Sequence, residues 1–79
     1  MFYVYLLESQ KDPTRHYVGF SADLKQRFQD HNAGLSRHTA KFRPWKLKTY
    51  TAFDEKQKAL DFERYLKTSS GIAFRRKRL

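Results

Sequence analysis

The run Phe2-Tyr3-Val4-Tyr5-Leu6-Leu7 and, after a polar stretch, the run His16-Tyr17-Val18-Gly19-Phe20 decide how this chain folds. The first is aromatic and aliphatic throughout, the pattern of a buried strand. Gln10 to Arg15 is polar and carries Asp12-Pro13, which is turn chemistry. A short second strand then returns along the first, so the chain opens on a hairpin.

The elements that follow are read outward from this hairpin. Ser21 is placed to cap a helix from Ala22 to Asn32, with Asp23 in its first turn. Asn32-Ala33-Gly34 stops that helix. Leu35 to Arg43 is polar and basic and reads as an exposed loop. Trp45, Leu47, Thr49, Thr51 and Phe53 alternate with Lys46, Lys48, Tyr50 and Ala52, which predicts a third strand. Asp54 with Gln57 resembles a capping box for a helix that runs to about Lys67. Thr68-Ser69-Ser70-Gly71 breaks it, and Ile72 to Leu79 forms a short C-terminal helix. The order β-β-α-β-α, with that last helix, predicts an α+β fold: a small, largely antiparallel sheet flanked by helices.

Composition sets the outer bounds. The chain has 79 residues, which is read as a single domain over 1–79. A fold this small buries only about 60% of its unfolded surface. Thirteen aromatic rings (seven Phe, five Tyr and one Trp) therefore supply much of the core. No cysteine is present, which excludes disulfides and thiolate metal sites. No apolar run approaches the roughly 18 residues of a membrane span. The N-terminus has no basic leader, so a cytoplasmic, nucleoid-associated protein is expected. Seventeen Lys and Arg against eight Asp and Glu give a net charge of +9, a bias toward polyanions and above all nucleic acid.

Two helical stripes carry residues that do not belong in a core. Leu24, Arg27, Phe28 and His31 share one face of the first helix at i, i+3, i+4 and i+7. Ala59, Phe62, Glu63 and Leu66 share one face of the second. A core-facing Arg must find an anion or water, and an unpaired buried carboxylate is costly. Three arrangements meet these demands. Arg27 and Glu63 pair with each other, or Glu63 meets Lys67 at i+4, or a cleft gathers Arg27, His31 and Glu63 beside the strand tyrosines. The last set suits phosphodiester chemistry. Arg stabilises charge on phosphoryl oxygens, a carboxylate holds a hard cation, and His or Tyr handles the proton of an attacking water.

Tyr3-Val4-Tyr5 followed by Tyr17-Val18-Gly19 resembles the paired signature of the GIY-YIG nuclease superfamily. Arg27 follows ten residues after Tyr17, His31-Asn32 one turn later, and Glu63 lies 36 residues past Arg27. The closest likeness is to small stand-alone bacterial members, similar to the incision domain of the bacterial excision-repair nuclease. The resemblance implies a three-stranded antiparallel sheet flanked by helices and a phosphodiester hydrolase that cuts DNA. By the same resemblance, Tyr5 and Tyr17 are the signature tyrosines and Gly19 lets the backbone pass close to the site. Arg27 contacts the scissile phosphate, and Glu63 is the sole protein carboxylate on one Mg²⁺ or Mn²⁺ ion. Tyr17 activates or orients the water with His31 as relay or alternate base, and Tyr5 positions the phosphate. Three positions depart from the pattern. The first signature begins with Tyr3, Phe20 stands where many members carry Lys, and Ser69, Ser70 and Arg75 stand in the region where many carry Asn. Lys67, and less directly Lys41, are the cations able to substitute.

Lys41, Arg43, Lys67, Arg75 and Arg76 are the candidate nucleic-acid contacts. No element suited to reading bases is visible, so a structure preference (nicked or branched DNA, with RNA still open) or little preference is expected. A monomer is the simplest state, with a transient dimer on DNA if two strands are cut. The competing reading is a module of the same fold that binds nucleic acid without cutting it.

Overall fold

The computed structural model describes residues 1–79. The hairpin is present, formed by β1 (Phe2–Ser9) and β2 (His16–Ser21). Then come α1 (Leu24–Asn32), the short α2 (Arg37–Ala40), β3 (Trp45–Phe53), α3 (Lys56–Leu66) and α4 (Ser69–Arg78). The sheet is three-stranded in the order β2-β1-β3, antiparallel throughout. β1, aromatic and aliphatic from Phe2 to Leu7, is the central strand, as the lack of polar alternation over that run requires. No helix is long and apolar enough to cross a membrane.

Because side chains alternate along a strand, β1 feeds two cores. Val4 and Leu6 pack with Val18, Ala59 and Leu66 under α3 and α4, joined by Phe2, Phe20, Phe53, Phe62 and Phe74. Tyr5 and Leu7 pack with Trp45 on the other face, joined by Tyr17, Leu24, Phe28, Phe42 and Leu47 under α1 and α2. Phe20, the departure from the family pattern, stacks on Phe2 at 6.2 Å and belongs to the α3–α4 side.

Five local expectations need correction. The first helix is capped by Asp23, whose carboxylate accepts from the Gln26 N–H at 3.1 Å, not by Ser21. Ser21 Oγ accepts from the Asp23 N–H instead and shapes the turn into the helix. The stretch expected as an exposed loop contains α2, with Ser36 and Thr39 buried. Asp54 and Gln57 form no capping box: Glu55 is the N-cap without a side-chain bond, and Gln57 Nε2 donates to Asp61 one turn on. Residues 68–71 do not separate two helices as a loop. Thr68 caps α4, its Oγ1 accepting from the Gly71 N–H, and the helix starts at Ser69 rather than Ile72. Ser and Thr serve as breaker or cap with the same hydroxyl, so composition cannot distinguish the two.

The fifth correction concerns β3. Its alternating residues read as one apolar face, yet Trp45 and Leu47 join the α1–α2 core while Phe53 joins the α3–α4 core. A register shift opposite Leu6/Leu7 leaves Lys48 without a partner on β1. That bulge reverses which face the odd-numbered residues meet.

Candidate active site

The α1–α2 face of the sheet assembles a polar cluster inside an aromatic core. Tyr5 and Gly19 are directly opposed on β1 and β2. A Cβ at Gly19 would stand 2.3 Å from Tyr5 Cζ and from its hydroxyl, so only glycine leaves the phenol its path across β2. The ring reaches α1, where the Tyr5 hydroxyl meets His31 Nε2 at 2.8 Å. Both side chains are fully buried. His31 Nδ1 in turn meets Thr39 Oγ1 at 2.7 Å.

Hydrogen-bond accounting assigns the protons along this chain. The buried Tyr5 hydroxyl has no acceptor other than His31 Nε2, which leaves the imidazole proton on Nδ1 for Thr39 Oγ1 to receive. Nε2 is then the acceptor, and the Tyr5 hydroxyl donates to it. α2 is fixed in turn by Trp45, whose Nε1–H donates to the Thr39 carbonyl at 2.8 Å. Asn32, next to His31, clamps the start of β3: Oδ1 accepts from the Trp45 N–H at 2.6 Å and Nδ2 donates to the Trp45 carbonyl at 3.1 Å. Neither Thr39 nor the Asn32 clamp was legible as a site element. Thr39 acts across eight residues of chain from what looked like a loop, and nothing local marks it. Thr39→Val leaves His31 Nδ1–H without a buried acceptor and is expected to cost about 1–3 kcal/mol in chemical denaturation. An unchanged midpoint would contradict this bond.

Tyr17 lies on the same face, its ring 5.0 Å from His31 and 6.3 Å from Tyr5. The hydroxyl that His31 bonds is that of Tyr5, while Tyr17 stands beside the imidazole without a hydrogen bond to it. The Tyr17 hydroxyl bonds to no protein group, and since no buried side-chain oxygen lacks a partner, it faces solvent. Arg27, half-buried one turn before His31, has no carboxylate partner: the Arg27–Glu63 ion pair is absent. Glu63 instead takes Lys67 Nζ at 3.2 Å, the i+4 pair, and keeps 22% of its side-chain surface open.

The electrostatics tie these groups together. Burial pushes the Tyr5 hydroxyl up to about 12, Tyr17 adds to the rise, Arg27 opposes it, and the Glu63 carboxylate adds to it again. Arg27 and Glu63 therefore both act on Tyr5, from helices on opposite sides of the sheet. Burial, and then Arg27, hold the His31 imidazole below 6.5 despite the pull of Asp30. His31 is neutral at pH 7 and Tyr5 keeps its proton.

A pH dependence of stability follows. The folded His31 binds protons less readily than the unfolded one, so its contribution is complete above pH 6.5 and is lost as pH falls. Tyr5 works the other way: its contribution is complete below pH 10 and drains away as pH rises toward 12, by roughly 2–3 kcal/mol. Thermal melts should show a plateau from about pH 7 to 9.5 with a fall on each side. A His31→Gln variant should lose part of the fall between about pH 7 and 5. Identical acid limbs in both proteins would remove His31 as a cause.

Glu63 is a lone carboxylate, and no group of three or more His, Cys, Asp or Glu is placed to hold a metal. This donor set does not make a closed protein cage. It fits a hard divalent ion that takes most of its ligands from water and a phosphate.

The expected nucleic-acid contacts divide between the two faces. Lys41 and Arg43 follow α2, Lys41 Nζ lying 5.9 Å above the Phe42 ring. Lys67 is on Glu63. Arg75 and Arg76 lie on the far side of the sheet, in a cleft with Leu6.

Compared with known proteins, the chain matches the family model of the GIY-YIG catalytic domain over residues 1–76. A UPF0213 protein of Streptococcus pyogenes serotype M5 (strain Manfredo) is 39% identical over 66 residues, covering 82% of this chain and 70% of that protein. The structure-specific endonuclease subunit SLX1 homolog of Giardia intestinalis is 35% identical over 65 residues, covering 77% of this chain but 18% of its own length. The structure-specific endonuclease subunit SLX1 of Scheffersomyces stipitis is 39% identical over 67 residues, covering 76% of this chain and 20% of its own. The chain thus corresponds to about a fifth of the two endonuclease subunits.

Proposed function

The chain belongs to the GIY-YIG catalytic domain family, and from that premise we propose that it is an endonuclease that hydrolyses phosphodiester bonds of DNA with the help of one Mg²⁺ or Mn²⁺ ion. The observation that carries the reading is Arg27: a guanidinium on a core-facing stripe, acting on buried Tyr5, with no carboxylate of its own. A phosphate supplies the missing anion in the planar, bidentate geometry that Arg favours. The two relatives called structure-specific endonuclease subunits support the same class of reaction.

Each side chain then has a task. Arg27 draws the scissile phosphate to the Tyr5 face and neutralises the charge that builds on its oxygens. Tyr5 keeps its proton at pH 7 and positions the phosphate as a hydroxyl, its own orientation fixed by His31. Tyr17, free of protein partners, meets the attacking water. His31 is neutral and buried, and its Nε2 already accepts from the Tyr5 hydroxyl, so a proton released beside Tyr5 would reach it by relay, the hydroxyl taking that proton as it passes its own to Nε2. Glu63 would hold the divalent ion, which when bound adds Lewis acidity at the phosphate. Lys67 would contact the phosphate once Glu63 turns to the ion. Lys41 and Arg43 extend the cationic surface on the α2 side.

The test is a cleavage panel: duplex, nicked, flap, branched and single-stranded DNA, and RNA, each with Mg²⁺, Mn²⁺ or EDTA. Cutting of DNA that requires the ion is the expected result. The second reading, a binding module, rests on the Lys67 ammonium already occupying Glu63. No cutting under any metal, with binding retained, would establish that reading instead.

A further inference from the structure

The strongest charged concavity of the molecule is not at the tyrosines. It lies on the other face of the sheet, a cleft of about 510 Å³ floored by Leu6 and Ile72. Its polar rim is Arg15, His16, Lys48, Arg75 and Arg76, with Thr14, and includes no carboxylate. The nearby acids are already engaged. Glu8 meets His16 at 3.1 Å and Lys46 and Lys48 at 3.7 Å each, and Asp12 meets Arg15 at 3.7 Å. Arg75 and Arg76 form no ion pair with any acid of the chain. Arg75 is also half-buried, and burial followed by the charge of Arg76 lowers its pKa. Holding a desolvated guanidinium beside a second one, with no anion, is unfavourable unless an anion arrives from outside.

We propose that this cleft binds the phosphate backbone of a nucleic acid at a second site, separate from the cleaved phosphate. The proposal rests on the nuclease reading for its partner and goes beyond it in adding a site. An apolar floor under a cationic rim suits a sugar–phosphate chain, whose phosphates reach the rim while the sugars lie over Leu6 and Ile72. The place of the cleft matters. His16 and Tyr17 are consecutive on β2 and point to opposite faces, so the cleft stands back to back with the proposed water-orienting tyrosine. The molecule is only 17 Å through its thinnest axis. A nucleic acid held on both sides must present backbone in two directions, as a branched or flapped substrate does and a straight duplex does not.

The experiment compares two double variants of equal charge change, read by binding in EDTA so that no cleavage intervenes. Arg75→Gln with Arg76→Gln alters the cleft. Lys77→Gln with Arg78→Gln alters exposed cations beyond it. Thermal melts confirm that each folds, and Arg76→Gln alone, at an exposed position, serves if the half-buried Arg75 proves structural. The cleft variant is expected to bind flap DNA about tenfold more weakly, with the salt slope reduced by about 2, while the tail variant changes little. Straight duplex should lose less than flap. Equal losses in both variants would reduce the cleft to bulk charge and overturn the proposal, as would no loss in either. A titration with thymidine 5′-monophosphate separates the sources of phosphate: saturation below millimolar concentration would assign the cleft to a free nucleotide and overturn the backbone site. Wild type that binds through the cleft yet never cuts would sink the nuclease reading and leave the cleft standing.

Discussion

In Glu63→Gln and in Arg27→Ala, ion-dependent cleavage is expected to fall by at least about a hundredfold while the chain stays folded and bound to DNA. The two residues act for different reasons. On the proposed reading Glu63 is the ion's sole carboxylate, and no group of three or more His, Cys, Asp or Glu stands ready to replace it. Its amide keeps the shape and loses the charge. The Glu63–Lys67 pair is an i,i+4 contact with the ammonium 54% exposed, and such pairs contribute only about 0.5 kcal/mol or less. Stability should therefore barely move. Arg27 has no acid partner to orphan, so its removal leaves no buried charge uncompensated. Single-turnover rates with saturating enzyme, alongside melting curves, decide the matter. Cleavage that survives either substitution within threefold would relocate the site.

Gly19→Ala should have the second largest effect. The new methyl would stand 2.3 Å from the end of the Tyr5 ring. That end cannot retreat freely, because it is fully buried between β2 and α1 and bonded to His31. The ring must tilt, the 2.8 Å bond to His31 Nε2 must break or lengthen, and His31 loses the partner that fixes its Nε2 side. Overpacking of this kind costs about 1–3 kcal/mol. A displacement near 1 Å of a positioning group costs about a hundredfold in rate. The diagnostic outcome is both together. Near-wild-type cleavage with a lower melting temperature would show that Tyr5 is core and not site.

The elements of the fold were legible where periodicity is strong. The hairpin, β3 and the stripe of α1 follow from alternation and from i, i+3, i+4 spacing, which local chain geometry imposes directly. Helix starts were less legible, since Ser21 and Asp23 are both good caps and only the backbone path decides that Asp23 receives the Gln26 N–H. α2 was invisible: four residues of mixed polarity carry no period, and what orders them is Trp45 and His31, distant in sequence. For the candidate site, the unusual residue types on core-facing stripes singled out Arg27, His31 and Glu63. Which tyrosine His31 meets was not readable. Tyr5 and Tyr17 both project from the same face, and the choice is made by the space above Gly19, a property of two strands in register.

The bulge in β3 makes this strand unusually intolerant of changes in length. Lys48 is exposed and lines the cationic cleft, so its side chain answers to that cleft and not to the packing of the strand. Deleting it is a different matter. Losing one residue would carry Trp45 and Leu47 to the face that Phe53 serves, and with them the anchor of α2 and the support behind His31. Adding one elsewhere in the strand would send Phe53 the opposite way. Among descendants of this gene, β3 should therefore keep its letter count closely, and Trp45, Leu47 and Phe53 their apolar bulk.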